Sequence, residues 1–347
     1  MKQFDINGWV RPNIRALEPY SSARDEFKGE ASVYLDANEN PYNQPYNRYP
    51  DPMQWRLKER IAEIKSVPKE SILLGNGSDE PIDLIIRAFC EPGKDSILTI
   101  EPTYGMYQVA AEVNNICCKK VKLTADFQMD LPELLAAIDS TVKVIYICSP
   151  NNPTGGSLKR DDIFKVLDSF AGIVVVDEAY IDFSSLPSLS KDLDRYANLV
   201  VLQTLSKAWG AAGIRLGMAF ASQEIIAMLN KIKYPYNVNQ LTQEKALEIL
   251  DNQGRMKEQL SEILKERTRL QKELEALPLI KTVYPTDANF ILVKVDDANG
   301  VYKQLAAEGI IVRNRNKVTL CANCLRITVG TPEEDNILLN ALKKMQP

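Results

Sequence analysis

The sequence predicts an α/β protein: a large domain with a mostly parallel sheet flanked by helices, then a smaller C-terminal α+β domain. Three observations predict it. The chain has 347 residues, more than one hydrophobic core ordinarily holds, so two domains are expected. From residue 72 onward, short apolar runs alternate with helical patterns, as in βα repeats. Most of those runs are continuously apolar, which fits strands covered on both faces.

The elements follow in order. Residues 1–30 show little apolar periodicity and read as an extended arm. Residues 37–52 are dense in Asn and Pro and read as a loop. Leu57, Ile61 and Ile64 are spaced for a helix over 53–65. Strands are predicted at 72–74, 96–100, 119–123, 142–148, 173–177 and 199–204. Helices are predicted after Glu80 to Phe89 and at 106–114, 131–138 and 159–169. Met256, Leu260, Ile263, Leu264, Leu270, Leu274 and Leu277 recur at three and four residues and mark a long helix. Strands at 282–284, 290–295, 310–312 and 325–329, with a helix at 301–308, complete the small unit. The expected division is an arm 1–30, a large domain 31–245 and a small domain 246–347.

Composition excludes several functions. Lys and Arg total 42 against 46 Asp and Glu, a net charge of −4, so no basic field favours nucleic acid. Asp5, Asn7, Arg11 and Arg15 stand where a secretory signal needs apolar residues. No apolar run reaches the length of a membrane span. The six cysteines, with Cys117 and Cys118 adjacent, do not form a disulfide framework, so a reduced, cytoplasmic chain is expected. Cys321 and Cys324 read as two unpaired thiols. The chain has no histidine, which removes Ser-His-Asp triads and leaves any zinc site short of ligands, so no metal is expected. Acid–base chemistry falls to Lys, Asp, Glu, Tyr or Cys.

Four motifs sit at strand ends, where open α/β sheets bind ligands. Gly75-Asn76-Gly77-Ser78-Asp79-Glu80 joins a strand to a helix whose N-terminus can hold an anion. Ser149-Pro150-Asn151-Asn152-Pro153-Thr154-Gly155 is a stiff loop. Asp177-Glu178-Ala179-Tyr180 ends a buried strand with an acid that needs a cationic partner, unless Asp177 only caps a helix. Ser206-Lys207-Ala208-Trp209-Gly210, followed by Arg215-Leu216-Gly217, puts a candidate imine-forming amine at the sheet edge. Each motif alone has a plain structural explanation.

Together, in this order and spacing, the four resemble fold-type I pyridoxal-phosphate (PLP) aminotransferases, the class containing aspartate aminotransferase. The resemblance implies PLP as cofactor and a role for each matching residue. Lys207 would form the imine with the cofactor aldehyde and then move the substrate proton. Asp177 would pair with the pyridinium nitrogen. Tyr180 and Asn152 would hydrogen-bond the ring oxygen. Ser78, Asp79, Ser206 and Arg215 would hold the cofactor phosphate. Tyr104 would stack on the ring.

A narrower resemblance rests on Leu17-Glu18-Pro19-Tyr20-Ser21-Ser22-Ala23-Arg24, Leu35-Asp36-Ala37-Asn38-Glu39-Asn40-Pro41, Asn47-Arg48-Tyr49-Pro50 and Cys324-Leu325-Arg326-Ile327-Thr328-Val329-Gly330-Thr331. These segments resemble the histidinol-phosphate aminotransferases, which interconvert histidinol phosphate and imidazole-acetol phosphate with glutamate and 2-oxoglutarate. The resemblance implies substrate binding by Arg313, Arg326 and Tyr20, with Asn38 and Glu39 near the imidazole. Arg326 interrupts an apolar strand, which is costly without an anion to meet it. Tyr49 resembles the tyrosine that reaches the neighbouring subunit's cofactor, implying a homodimer with shared sites. Threonine-phosphate decarboxylases and aromatic amino-acid aminotransferases share the same motifs and are the competing readings. A non-catalytic PLP-fold regulator would not need both Lys207 and Asp177.

Overall fold

The computed structural model describes residues 4–20 and 32–345. Residues 1–3 and 21–30 of the expected arm, with the motif residues Ser21 to Arg24, lie outside the described residues.

β-Branched runs build the large sheet. Strands β1 (Ile72–Asn76), β2 (Ser96–Glu101), β3 (Cys117–Lys122), β4 (Val142–Cys148), β5 (Ile173–Asp177), β6 (Leu199–Thr204) and β7 (Leu216–Ala221) lie in the order β1-β7-β6-β5-β4-β2-β3. Strands β4 to β7 are buried almost throughout, because helices cover both faces. One apolar cluster forms on each face: Leu98, Ile145, Val174 and Val201 point one way, Ile97, Val144, Val175 and Val200 the other. This is the period-two alternation of a strand with two covered faces.

Strand β7 was not read from the sequence. It runs antiparallel between β1 and β6, so the sheet is parallel only from β6 to β3. Gly217 explains its close fit: a Cβ there would lie 2.2 Å from the carbonyl carbon of Gly77. Only a residue without a side chain lets β7 approach the turn after β1.

Three further expectations are corrected. The described arm is not extended: its helix Pro12–Ala16 and the buried Ile6, Val10 and Ile14 pack into the large core. The boundary at 245 falls inside the helix Gln240–Asp251, whose Ala246 and Leu250 belong to the large core. The break comes at Asn252, before the 23-residue helix Gln253–Glu275. The apolar run 310–312 is not a strand, and Ile311 is 73% exposed.

The small unit holds an antiparallel sheet of β8 (Ile280–Val283), β9 (Phe290–Val295), β10 (Arg313–Asn314) and β11 (Cys324–Thr328) in the order β10-β11-β9-β8. The helices Gln253–Glu275, Ala298–Ala307 and Pro332–Lys344 cover it. Thr331 starts the last helix with a reciprocal cap to Glu334, which satisfies two otherwise orphaned backbone donors. All six cysteines are free. Among the described residues no helix is long and apolar enough to cross a membrane, and no cluster of ligands could hold a metal.

Candidate active site

A cavity of about 820 Å³ opens where the carboxyl ends of β4, β5 and β6 face the β10–β11 hairpin. Its lining includes Ser78, Asp79, Tyr104, Asn152, Asp177, Tyr180, Ser206, Lys207, Arg215, Arg313 and Arg326. Eleven of the fifteen expected site residues thus meet in one place. Parallel strands in register put successive strand ends, and the motifs that follow them, along one edge.

Asp177 closes β5 at the cavity floor and is 2% exposed. Burial pushes its carboxyl pKa up, while the Tyr107 hydroxyl and a backbone N–H act against that shift. Tyr107 donates to Oδ2 at 2.7 Å, and the Ala179 N–H donates to Oδ1 at 3.0 Å. Tyr107 is itself fully buried and stacked on Tyr146 with ring centroids 4.9 Å apart. Sequence reasoning missed this residue, whose position in a helix gave no sign of its partner 70 residues away.

Lys207 follows β6 and lies over the Tyr180 ring, its Nζ 5.5 Å from the centroid. Partial burial lowers its pKa first and the Arg326 cation second, with Asp177 opposing. More of the amine is therefore neutral, and nucleophilic, than on a solvated lysine. Tyr180 is held edge-on to Phe290. Burial raises its phenol pKa, so its hydroxyl stays protonated. The Asn152 amide lies 3.5 Å from that hydroxyl, and its Oδ1 accepts a short hydrogen bond from Arg326 Nη1. Neighbouring Asn151, fully buried, bonds Thr154 within its own loop and ties that loop to Pro102 and Thr103. It thereby fixes the loop that carries Tyr104, a second role not visible in sequence.

At the other end the helix Asp79–Phe89 begins. Its N-cap Ser78 makes no side-chain capping bond, so N-terminal N–H groups remain for an anion. The Asp79 carboxylate is turned aside, accepting from the Tyr104 hydroxyl at 3.0 Å and lying 3.6 Å from Arg215 Nη2. Arg215 sits in the left-handed region at φ 55°, held by the Gly77 N–H donating to its carbonyl at 2.9 Å. Gly77 also leaves room for the guanidinium, since a Cβ would lie 2.5 Å from Nη2. Ser206 Oγ is 2.9 Å from Thr204 Oγ1.

These residues fit pyridoxal 5′-phosphate. An uncapped helix start with two serines and an arginine suits a phosphate. A buried acid whose hydrogen bonds come from a neutral phenol and one amide suits a pyridinium N–H. Between them stand a primary amine and an aromatic ring.

Four expected residues lie elsewhere. Tyr20 is 71% exposed and does not line the cavity. Asn38 and Tyr49 line a separate surface pocket with Glu39 and Arg48, where Tyr49 stacks on Tyr236 at 4.5 Å. Neither Tyr20 nor Asn38 lines the cavity of its own chain. The cavity also contains Arg315, which sequence reasoning passed over.

Comparison with known proteins agrees with this chemistry. Residues 29–342 match the family model for aminotransferase class I and II. The histidinol-phosphate aminotransferase of Parabacteroides distasonis is 63% identical over 342 residues, 99% of both chains. That of Bacteroides thetaiotaomicron is 58% identical over 338 residues, covering 97% of this chain and 98% of the other. The crystal structure of histidinol-phosphate aminotransferase from Clostridium acetobutylicum superposes with a TM-score of 0.80 at 27% identity, covering 86% of this chain and 90% of that one. The chain belongs to the class I and II aminotransferases, as a pyridoxal-phosphate-dependent member of the histidinol-phosphate aminotransferase family.

Proposed function

We propose that this chain transfers an amino group between histidinol phosphate and 2-oxoglutarate, giving imidazole-acetol phosphate and glutamate in histidine biosynthesis, and that it works as a cytoplasmic homodimer. The observation that carries the substrate reading is that Arg313, Arg315 and Arg326 line the cavity with Lys207 and form no ion pair with an acid among the described residues. Such a set calls for an anionic substrate.

When bound, the cofactor supplies an electron sink for the carbon that loses its proton. Lys207 would hold the cofactor through its amine and, when that amine is free, would move the proton at the substrate α-carbon. Asp177 would keep the ring nitrogen protonated, Tyr180 and Asn152 would donate to the ring oxygen, and Tyr104 would pack against the ring. Ser78, Ser206, Arg215 and the Asp79 backbone would hold the cofactor phosphate, which would leave Arg313 and Arg326 for substrate.

The test is a pair of half-reactions. Enzyme in the amine form, mixed with imidazole-acetol phosphate, should recover its aldehyde absorbance faster than with aromatic 2-oxo acids. Faster recovery with the aromatic acids would favour the aromatic aminotransferase reading. Carbon dioxide release from threonine phosphate would favour the decarboxylase.

The dimer reading rests on Tyr49, which is half exposed and lies outside its own chain's cavity. Exposed Tyr42, Tyr46 and Leu35 lie in the same segment. Tyr20 and Asn38 would then serve, with Tyr49, the site of the second copy. Six free thiols suit the reducing cytoplasm. Mixing inactive Lys207→Ala and Tyr49→Ala chains should restore about a quarter of wild-type activity. Half the dimers would be mixed, each with one intact site of two. No recovery after subunit exchange would reject shared sites.

A further inference from the structure

The cavity holds a third arginine beside the two expected from sequence. In the β10–β11 pair Arg313 stands opposite Arg326, and the Arg315 N–H donates to the Cys324 carbonyl at 2.9 Å. Residues two apart on a strand share a face, so Arg313, Arg315 and Arg326 all face the cavity that they line. None has an acidic partner among the described residues. The Nε atoms of Arg315 and Arg326 are buried without a hydrogen bond. Burial, then the charges of Arg326 and Arg313, depress the Arg315 pKa to about 10. A cation so placed gains by meeting an anion.

The arginines are not equivalent. Arg326 is anchored at the cofactor end, bonded to Asn152 and lying 5.1 Å over the Phe290 ring. Arg315 lies further along the hairpin and has no side-chain hydrogen bond among the described residues. The two substrates differ in what they offer. A carboxylate presents two coplanar oxygens, which one guanidinium fork satisfies. A phosphate ester presents three outer oxygens in a tetrahedral spread, and it stands further from the reacting carbon than an α-carboxylate does.

We propose that Arg315 is a specificity-determining residue that binds the outer phosphate oxygen of the phosphorylated amine and contributes little to glutamate binding. This rests on the reading that one site takes both substrates in turn.

The experiment compares Arg315→Gln and Arg315→Lys with wild type in the two half-reactions, followed by cofactor absorbance under single-turnover conditions. Arg315→Gln should raise the half-saturating concentration of histidinol phosphate by about tenfold or more, as expected for a lost charge-assisted bond. The limiting rate should change little, and the glutamate half-reaction should stay within about threefold. Arg315→Lys, keeping the charge without the fork, should fall between. Equal losses with both substrates, or none with histidinol phosphate, would overturn the proposal. If wild type does not turn over histidinol phosphate, the functional reading fails separately. Inorganic phosphate is then tested as an inhibitor of the glutamate half-reaction. Weaker inhibition of Arg315→Gln than of wild type supports the anion site, and unchanged inhibition rejects it.

Discussion

Replacing Lys207 by Ala should lower kcat by about 10⁴-fold or more, while the protein still takes up pyridoxal phosphate. The separation follows from the site's construction. The proposed phosphate cradle and Asp177 lie outside the Lys207 side chain, so cofactor uptake is expected to survive its loss. Proton transfer does not survive, because no histidine exists in the chain to replace the amine and Tyr180 is held protonated by burial. Borohydride should fix cofactor covalently to wild type and leave it removable by dialysis from the variant. A small added amine should recover part of the rate by acting as the missing base. A variant that keeps its turnover within about tenfold of wild type would end the assignment of Lys207.

Asp177→Asn should be the next most damaging change. Asparagine preserves shape but carries no charge to hold a pyridinium proton. One of its two side-chain atoms can no longer accept from Tyr107 or Ala179. Breaking a buried ion pair costs about 3 kcal/mol or more, roughly a hundredfold or more in rate if all of it falls on the transition state. Tyr107→Phe separates the two effects. It removes only a neutral hydrogen bond, about 1 kcal/mol, and leaves the charge in place. Steady-state kcat for the three proteins should therefore rank wild type, Tyr107→Phe, Asp177→Asn. A Tyr107→Phe loss as deep as that of Asp177→Asn would show that positioning, rather than charge, is what Asp177 supplies.

Much of the site could be read from sequence because its residues lie in short contiguous motifs after strand ends. Once β4, β5 and β6 are recognised as parallel, their following loops must converge, and Asn152, Asp177 and Lys207 converge with them. Residues that act through distant partners could not be found this way. Tyr107 reads as an ordinary helical aromatic until β5 brings Asp177 beside it. Arg315 reads as one of several polar residues in a loop until the hairpin pairs it with Cys324. Strand β7 escaped because Gly217, Ala219 and Ala221 dilute its apolar signal. Those same small side chains let it lie between two neighbours. The boundary expected at 245 missed the helix Gln240–Asp251, whose apolar stripe belongs to the core behind it rather than to the helix ahead.

The loop 149–155 meets the small unit at Gly155. Its carbonyl accepts from the Asp287 N–H at 2.8 Å and from the Thr286 hydroxyl at 3.3 Å. A Cβ on Gly155 would lie 2.5 Å from Thr286 Oγ1. This contact works as the fulcrum of a caliper. One jaw carries Lys207 and the other Arg313, Arg315 and Arg326, and any displacement between them must strain this joint. The spacing between the proposed amine and the proposed anion grip is thereby coupled to a residue that lines neither.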